Sequence, residues 1–293
     1  MPNIINIHSP MQLKDYTHVQ CPSSEAWNWC MGHEDADVHI FDEQCILEHV
    51  KYNGKIKIAM IGEIPTIYNY AKQFNPAVFD PHDWIKENQS HFDYIMSHFT
   101  YFKDMVGESR FVWTHINMSF LKKEEYGIYE KERLLSIIAS KKRMTPGHIM
   151  RHEVIAQYGR HMDVYGNGYN TYMNDYSPVS KIIALAPYYF TIVILNTVID
   201  DWFDTQTTDA LAVGTIPIFR GTKNVGNYFN TDGIIQFDSM EELGRIIPTL
   251  SKELYHSKMK AILENMEEAK YYSTTQDWLY TKRKEWLETI KKQ

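Results

Sequence analysis

Cysteine is scarce in this chain: three residues in 293, Cys21, Cys30 and Cys45, an odd number with no C-x-x-C spacing. That excludes a disulfide framework and a thiolate zinc cluster, and the three read as free thiols of a reducing compartment. A basic surplus is missing too. Lys and Arg number 30 against 37 Asp and Glu, a formal net charge of −7 with a pI near 6.0. Nucleic acid is therefore not an expected partner, since neutralising phosphates takes clustered cations, and only KKRM from Lys141 and the C-terminal KRK and KKQ are locally basic. No apolar run reaches membrane-spanning length, and MPNIINIHSPMQL has no basic region followed by an apolar core. The expectation is a cytoplasmic protein without an integral membrane segment, or a fragment cut from an anchored one. No G-x-G-x-x-G follows the first predicted strand, which argues against a dinucleotide-dependent dehydrogenase. Internal repeats and low-complexity linkers are also absent.

What is present is a globular balance, 44% hydrophobic and 23% charged, in a length that suits two domains. Short strands are predicted at Ile4–Ile7 and Val38–Phe41, flanking the Trp-rich SEAWNWCMG, and a better one at Lys55–Ile61, KIKIAMI, with Gly62, Glu63, Ile64 and Pro65 at its carboxyl end. Phe92–Met96 and Phe111–Trp113 follow. The alternation is that of an α/β domain. His33, Glu34, Asp35, Asp37 and His39 invite a metal reading, but two histidines six apart around carboxylates fit no standard zinc or calcium loop, and no metal is expected.

Leu134–Ala139 opens a second domain. A basic loop and Pro146-Gly147 lead into a predicted helix from His148 to Tyr158 carrying Arg151, and MDVYGNGY, Met162–Tyr169, reads as a strand closed by a Gly-rich turn. Gly166 and Gly168 would allow a close backbone approach to a ligand. Thr191–Leu195 is a β-branched strand, followed by a polar loop from Asn196 to Thr208 bearing Asp200, Asp201, Trp202 and Asp204. A short helix, Asp209–Val213, and the strand Ile216–Phe219 complete a β-loop-α-β unit with a parallel crossover. Ligands bind beyond the carboxyl ends of such strands. Met240–Tyr255, Met259–Tyr272 and Asp277–Lys292 are helical in pattern.

The ordered series of strand, Asn, acidic and aromatic loop, DALAVGTIPI and NYFNTDGIIQFDSMEEL resembles the donor half of glycosyltransferase family ten, the α-1,3/4-fucosyltransferases. Gly62-Glu63 is similar to that family's Gly-Glu, whose carboxylate is the proposed general base. Ile137–Ser140 and Arg151 resemble its Ala-Ser and its diphosphate-contacting arginine. The resemblance implies two Rossmann-like α/β domains facing across a cleft (GT-B type): 1–133 on the acceptor side, 134–270 for the nucleotide-sugar donor, and a C-terminal helix, 271–293, packing back on the first. Three departures stand out. Leu195 replaces the family's ribose-holding Glu before Asn196, and Asp204-Thr205-Gln206 replaces its Thr-Glu-Lys, with Trp202 in place of a Tyr.

The activity implied is inverting, metal-independent transfer from a nucleotide sugar to a hydroxyl of a glycan acceptor. GDP-fucose is favoured, a UDP-sugar such as UDP-xylose is second, and an inactive nucleotide- or sugar-binding relative is the non-enzymatic alternative. No cofactor is expected beyond the GDP- or UDP-linked co-substrate, and a homodimer is compatible with it. Glu63 is the candidate base, with Asp35 and Asp37 in reserve. Arg151 suits a diphosphate because a planar guanidinium holds two oxygens at once. Lys142, Arg143 and Lys223 are alternative phosphate partners. Asn196, Thr205 and Gln206 would face the donor, Trp202 would stack on base or sugar or pack under the rim, and Tyr165 and Gly166 would lie beside it. Asp209 would cap or lead the short helix, with a secondary donor role.

Overall fold

The computed structural model describes residues 3–9, 27–30, 34–116, 119–169 and 178–290. The chain divides into two compact units, Met1–Asn117 with Thr274–Gln293, and Met118–Ser273. The first contains β1 (Asn3–His8), β2 (Trp27–Cys30), β3 (Val38–Asp42), β4 (Ile56–Ile61), α1 (Pro65–Lys72), α2 (Pro81–Asn88), β5 (Tyr94–Ser97), α3 (Tyr101–Val106) and β6 (Phe111–Trp113). Its strands are all parallel in the order β2-β1-β3-β4-β5-β6. Consecutive buried residues such as Ile40 and Phe41, or Ile58 and Ala59, point to opposite faces, so both faces of the sheet are covered. The Trp-rich segment is itself a strand, β2, paired from Asn3↔Trp27 to Asn6↔Cys30, where composition alone places strands only on either side of it.

The second unit contains β7 (Arg133–Ile138), α4 (Pro146–Tyr158), β8 (Asp163–Tyr165), α5 (Pro178–Leu185), β9 (Tyr188–Ile194), α6 (Thr205–Ala212), β10 (Ile216–Arg220), β11 (Ile235–Gln236), α7 (Met240–Ile246), α8 (Lys252–Ser257) and α9 (Met259–Ala269). Its five parallel strands run β11-β10-β9-β7-β8. Leu135, Ile137, Phe190, Ile192, Ile194, Ile216 and Ile218 form one core with Met150 and Val154 of α4, Tyr255 of α8 and Ile262 of α9. The chain leaves β7 for β8 on one side and returns to β9 on the other, so the topological switch point lies between β7 and β9.

Three sequence expectations change. The helix predicted from Asp209 starts four residues earlier, because the Asp204 carboxylate accepts the Gln206 amide at 3.0 Å and caps it there. The helical pattern from Met240 to Tyr255 is interrupted by a 3₁₀ turn, Ile247–Thr249, where Pro248 cannot donate to the ladder. Strand order and the charged KKEEYGIYEKER segment put the boundary between units near residue 133. That segment instead joins the second unit: the Gly127 amide donates to Ala212 O, and the Lys131 ammonium donates to Ala186 O, Val213 O and Thr215 Oγ1.

α10 (Thr275–Lys282) and α11 (Lys284–Ile290) belong to the first unit. Trp278 packs edge-on to Trp113 at 5.0 Å, Trp286 edge-on to Tyr94 at 5.5 Å, and Arg283 Nε donates to Trp113 O. No helix among the described residues is long and apolar enough to cross a membrane.

Candidate active site

Glu63 sits two residues beyond β4, on the turn that leads into α1, and its side chain is exposed. The turn is fixed at several points. The amides of Gly62 and Glu63 both donate to one oxygen, Oε2 of Glu43, at 3.0 Å each. Glu63 O accepts from His82 Nε2 at 2.8 Å, and Glu63 Oε1 accepts the Ile64 amide at 2.9 Å. Because Nε2 of His82 must donate to a carbonyl, Nδ1 is left to accept from the Tyr101 hydroxyl, which sets the neutral tautomer. A Cβ on Gly62 would stand 2.6 Å from Ile116, so the turn needs glycine there to lie this close to the chain beyond β6.

Sequence reasoning missed most of this surround. Glu43 stands one residue beyond β3, His98 one beyond β5 and His115 two beyond β6, the strand-end positions that singled out Glu63. The same reading applied to VHIFDE, YIMSH and FVWTH would have found them. Burial pushes the Glu43 carboxyl up to about 7, against the pull of the Glu63 and Gly62 amides and the Tyr68 hydroxyl. His98 and His115 are buried neutral imidazoles: burial holds His98 well below its usual range, and His115 at about 3.

Asp35 and Asp37, the reserve bases, precede β3 and so stand at the amino edge of the parallel sheet, opposite the edge that carries Glu63. A surface depression lined by His49, Lys55, Lys57, His91 and Asp93 lies at that amino edge as well. His39 is inside β3, its ring between His8 Nε2 and Ala36 O, and His33 lies outside the described residues. Among the described residues no three His, Cys, Asp or Glu side chains converge in a way that could hold a metal ion.

In the second unit the structure gathers Arg151, Asn196 and Asp204 at the switch point. Arg151 is 4% exposed; its Nε donates to Ile194 O at 2.8 Å, and Nη2 to the same carbonyl and to Asn196 Oδ1 at 3.1 Å. Nη1 makes no hydrogen bond among the described residues. Gly147, in the first turn of α4, donates its amide to Asn196 O and lies so close that a Cβ would fall 1.9 Å from Leu195 O. Thr145 caps this helix by accepting the His148 amide, so the amino end of α4 is held against the carboxyl end of β9. Thr205 and Gln206 occupy the first turn of α6, half-buried. Burial raises the Asp204 carboxyl, and Arg151 and then Lys181 counter the rise.

Lys181 is a cation that sequence reasoning passed over. It is buried in α5, 3.2 Å from Asp209 Oδ2. Asp209, 0% exposed, also accepts from Ser119 Oγ at 2.6 Å and from the Phe120 amide. Asp209 therefore ties the start of the unit to α6 in mid-helix, and the capping role expected of it belongs to Asp204. The other candidates are dispersed. Trp202 is 4% exposed and its ring is packed inside. The Tyr165 hydroxyl pairs with that of Tyr188, which donates on to Asp163. Gly166, at φ +114, makes its close approach to Ala139 O and not to open space, and Gly168 packs on Lys141. Lys142 and Arg143 are exposed on the loop between β7 and α4, and Lys223 is ion-paired with Asp238.

One loop residue has an unusual backbone. Asp201 has φ +61, a left-handed conformation uncommon outside glycine. Hydrogen bonds hold it there: its amide donates to Thr222 Oγ1 and Asn224 Oδ1, and its Oδ1 accepts from Asn224 and Tyr228. The loops after β9 and β10 are thereby locked together at the carboxyl edge of the sheet.

No protein-family model and no curated protein matches the sequence. Solved structures do. The chain is similar to an α1,3-fucosyltransferase at 12% identity and a TM-score of 0.54, covering 93% of this chain and 90% of that one. It is similar to an α1,3-fucosyltransferase with GDP at 14% and 0.54, over 94% and 92%, and to one with GDP-fucose at 14% and 0.55, over 93% and 90%. At these identities the likeness is one of fold: two parallel α/β sheets in the GT-B class of glycosyltransferase architectures.

Proposed function

We propose that this chain is an inverting glycosyltransferase that moves a sugar, fucose from GDP-fucose in the favoured reading, onto a hydroxyl of a glycan acceptor. The observation that carries the proposal is the Gly62-Glu63 turn: an exposed carboxylate at the carboxyl end of a parallel strand, its backbone pinned by Glu43 and His82. It stands in a chain with the fold of an α1,3-fucosyltransferase. A base on a turn held in this way can meet a hydroxyl without reorganising, and that supports a catalytic role over a solvated one. In the reaction Glu63 takes the acceptor's proton as its oxygen attacks the anomeric carbon and the bond to the diphosphate breaks. Arg151, Asn196 and the first turns of α4 and α6 serve the departing diphosphate, whose charge grows as the bond breaks.

A second reading has its own support. Arg151 already serves Ile194 O and Asn196, and Leu195 is fully buried where the resembled family has a ribose-holding Glu. A UDP-linked donor such as UDP-xylose, or binding without turnover, accommodates both facts. Thermal-shift titration with GDP, GDP-fucose, UDP and UDP-xylose separates the readings, because a ligand at 100 times its Kd stabilises by about 2.7 kcal/mol. The test of the enzyme reading is Glu63→Gln. It should lower kcat by roughly 10² to 10⁴ and leave nucleotide affinity unchanged. Wild-type turnover in that variant would refute the base assignment, and loss of nucleotide binding would make Glu63 a structural support.

A further inference from the structure

We infer that Glu43 is the positioning residue of the active-site turn, holding the backbone from which Glu63 works without itself touching substrate. The inference rests on the reading of Glu63 as base. Glu43 follows β3, at the edge of the switch point between β1 and β3, and is 7% exposed. One of its oxygens accepts two consecutive amides, those of Gly62 and Glu63. Two adjacent N–H groups converging on one oxygen define the orientation of the peptide between them, and that peptide carries the Glu63 Cα.

The groups facing Glu43 come from several elements. Asp42 precedes it on β3, the Tyr68 hydroxyl reaches it from α1, and Tyr101 of α3 lies close enough to feel its charge. Beneath the turn, His82 fixes Glu63 O from the other side. Glu43 just beyond β3 and His82 of α2 thus converge on one dipeptide, and Tyr68 of α1 in turn holds Glu43. A surface glutamate needs no such support, whereas a general base must hold its geometry to a fraction of an ångström, and a shift of about 1 Å can lower a rate by roughly 10²-fold.

A glutamine at position 43 offers a carbonyl oxygen to the two amides and an NH₂ to the Tyr68 hydroxyl, which can accept as well as donate. An alanine offers neither. The experiment measures amide hydrogen exchange at Gly62 and Glu63, and kcat and KM for GDP release from GDP-fucose with water as acceptor, in wild type, Glu43→Ala, Glu43→Gln and Glu63→Gln. Glu43→Ala should speed exchange at both amides by at least about tenfold and lower kcat by roughly 10²-fold with KM for GDP-fucose unchanged. Glu43→Gln should recover most of both losses. Wild-type exchange in Glu43→Ala overturns the inference, as does a Glu43→Gln variant as slow as Glu43→Ala, which would make residue 43 the proton acceptor itself. Should Glu43→Ala not fold, the wild-type protein decides, since unprotected amides at Gly62 and Glu63 would contradict the anchor. The two readings fail separately: if Glu63→Gln keeps full turnover while Glu43→Ala loosens the turn, the base assignment falls and the positioning stands.

Discussion

His39, His98, His115 and His148 are histidines folded into places where a proton is unwelcome. Burial holds His39 and His148 at about 4, His115 at about 3, and His98 well below its usual range. Each binds a proton in the unfolded chain near pH 6.5 but not in the folded one until the pH is far lower. Their neutral burial therefore supports the fold above pH 6.5, and that support is lost as the pH falls. Glu43 has the opposite sign: its folded pKa of about 7 exceeds the unfolded value, so its contribution is full below the ordinary carboxylate range and disappears as the pH rises through 7. From pH 7 to pH 5 His39, His115 and His148 should each remove up to ~2 kcal/mol, and Glu43 should offset about one of them. Urea unfolding at the two pH values should show a net loss of several kcal/mol at pH 5, and flat stability between them would contradict the neutral burial of these rings.

Elements meet at their ends here, and glycine governs the meetings. By helix propensity Gly147→Ala should stabilise α4 by up to ~1 kcal/mol. The structure reverses the sign, because the new Cβ would fall 1.9 Å from Leu195 O, which is backbone and cannot step aside. Overpacking of this kind typically costs about 1–3 kcal/mol, so the variant should unfold earlier in denaturant and, under the proposed donor role of Asn196, should also bind nucleotide more weakly. A more stable Gly147→Ala would disprove the contact between α4 and the end of β9.

Much of this element layer was legible in the sequence. Apolar runs such as KIKIAMI and TIVIL announced buried parallel strands, and Pro146-Gly147 announced the start of α4. Caps that compete were not legible: Asp204 and Asp209 are both chemically fit to start a helix, and only tertiary contact with Lys181 and Ser119 draws the second into the interior. The candidate site divides the same way. Glu63 and Arg151 are named from strand-end and helix positions together with the family resemblance, and Glu43 stands at a strand end that the same reading reaches, but His82 and Lys181 act through partners 19 and 28 residues away in the chain, which periodicity does not reveal.

At the scale of the whole molecule, the first unit is built from two separated stretches. α10 supplies Trp278 and Leu279 to its interior, and α11 supplies Leu287 and Ile290. Deleting residues 274–293 should therefore strip an aromatic face from β5 and β6 and lower the thermal transition of the first unit, while that of the second, whose core is assembled wholly from residues 118–273, stays in place. Calorimetry of the truncated chain checks this: loss of both transitions would mean that the second unit depends on the first.

The two ends of that second unit are joined, the Ser119 amide donating to Ser273 O at 2.9 Å. A ribosome reading this message releases the strands of the first sheet early, yet they must wait for the last twenty residues before their edge is covered. The second unit, closed on itself at Ser273, draws its core from residues that all precede that stretch. The half whose sequence begins first is thus the half whose sequence is completed last, with the whole of the other half made in between.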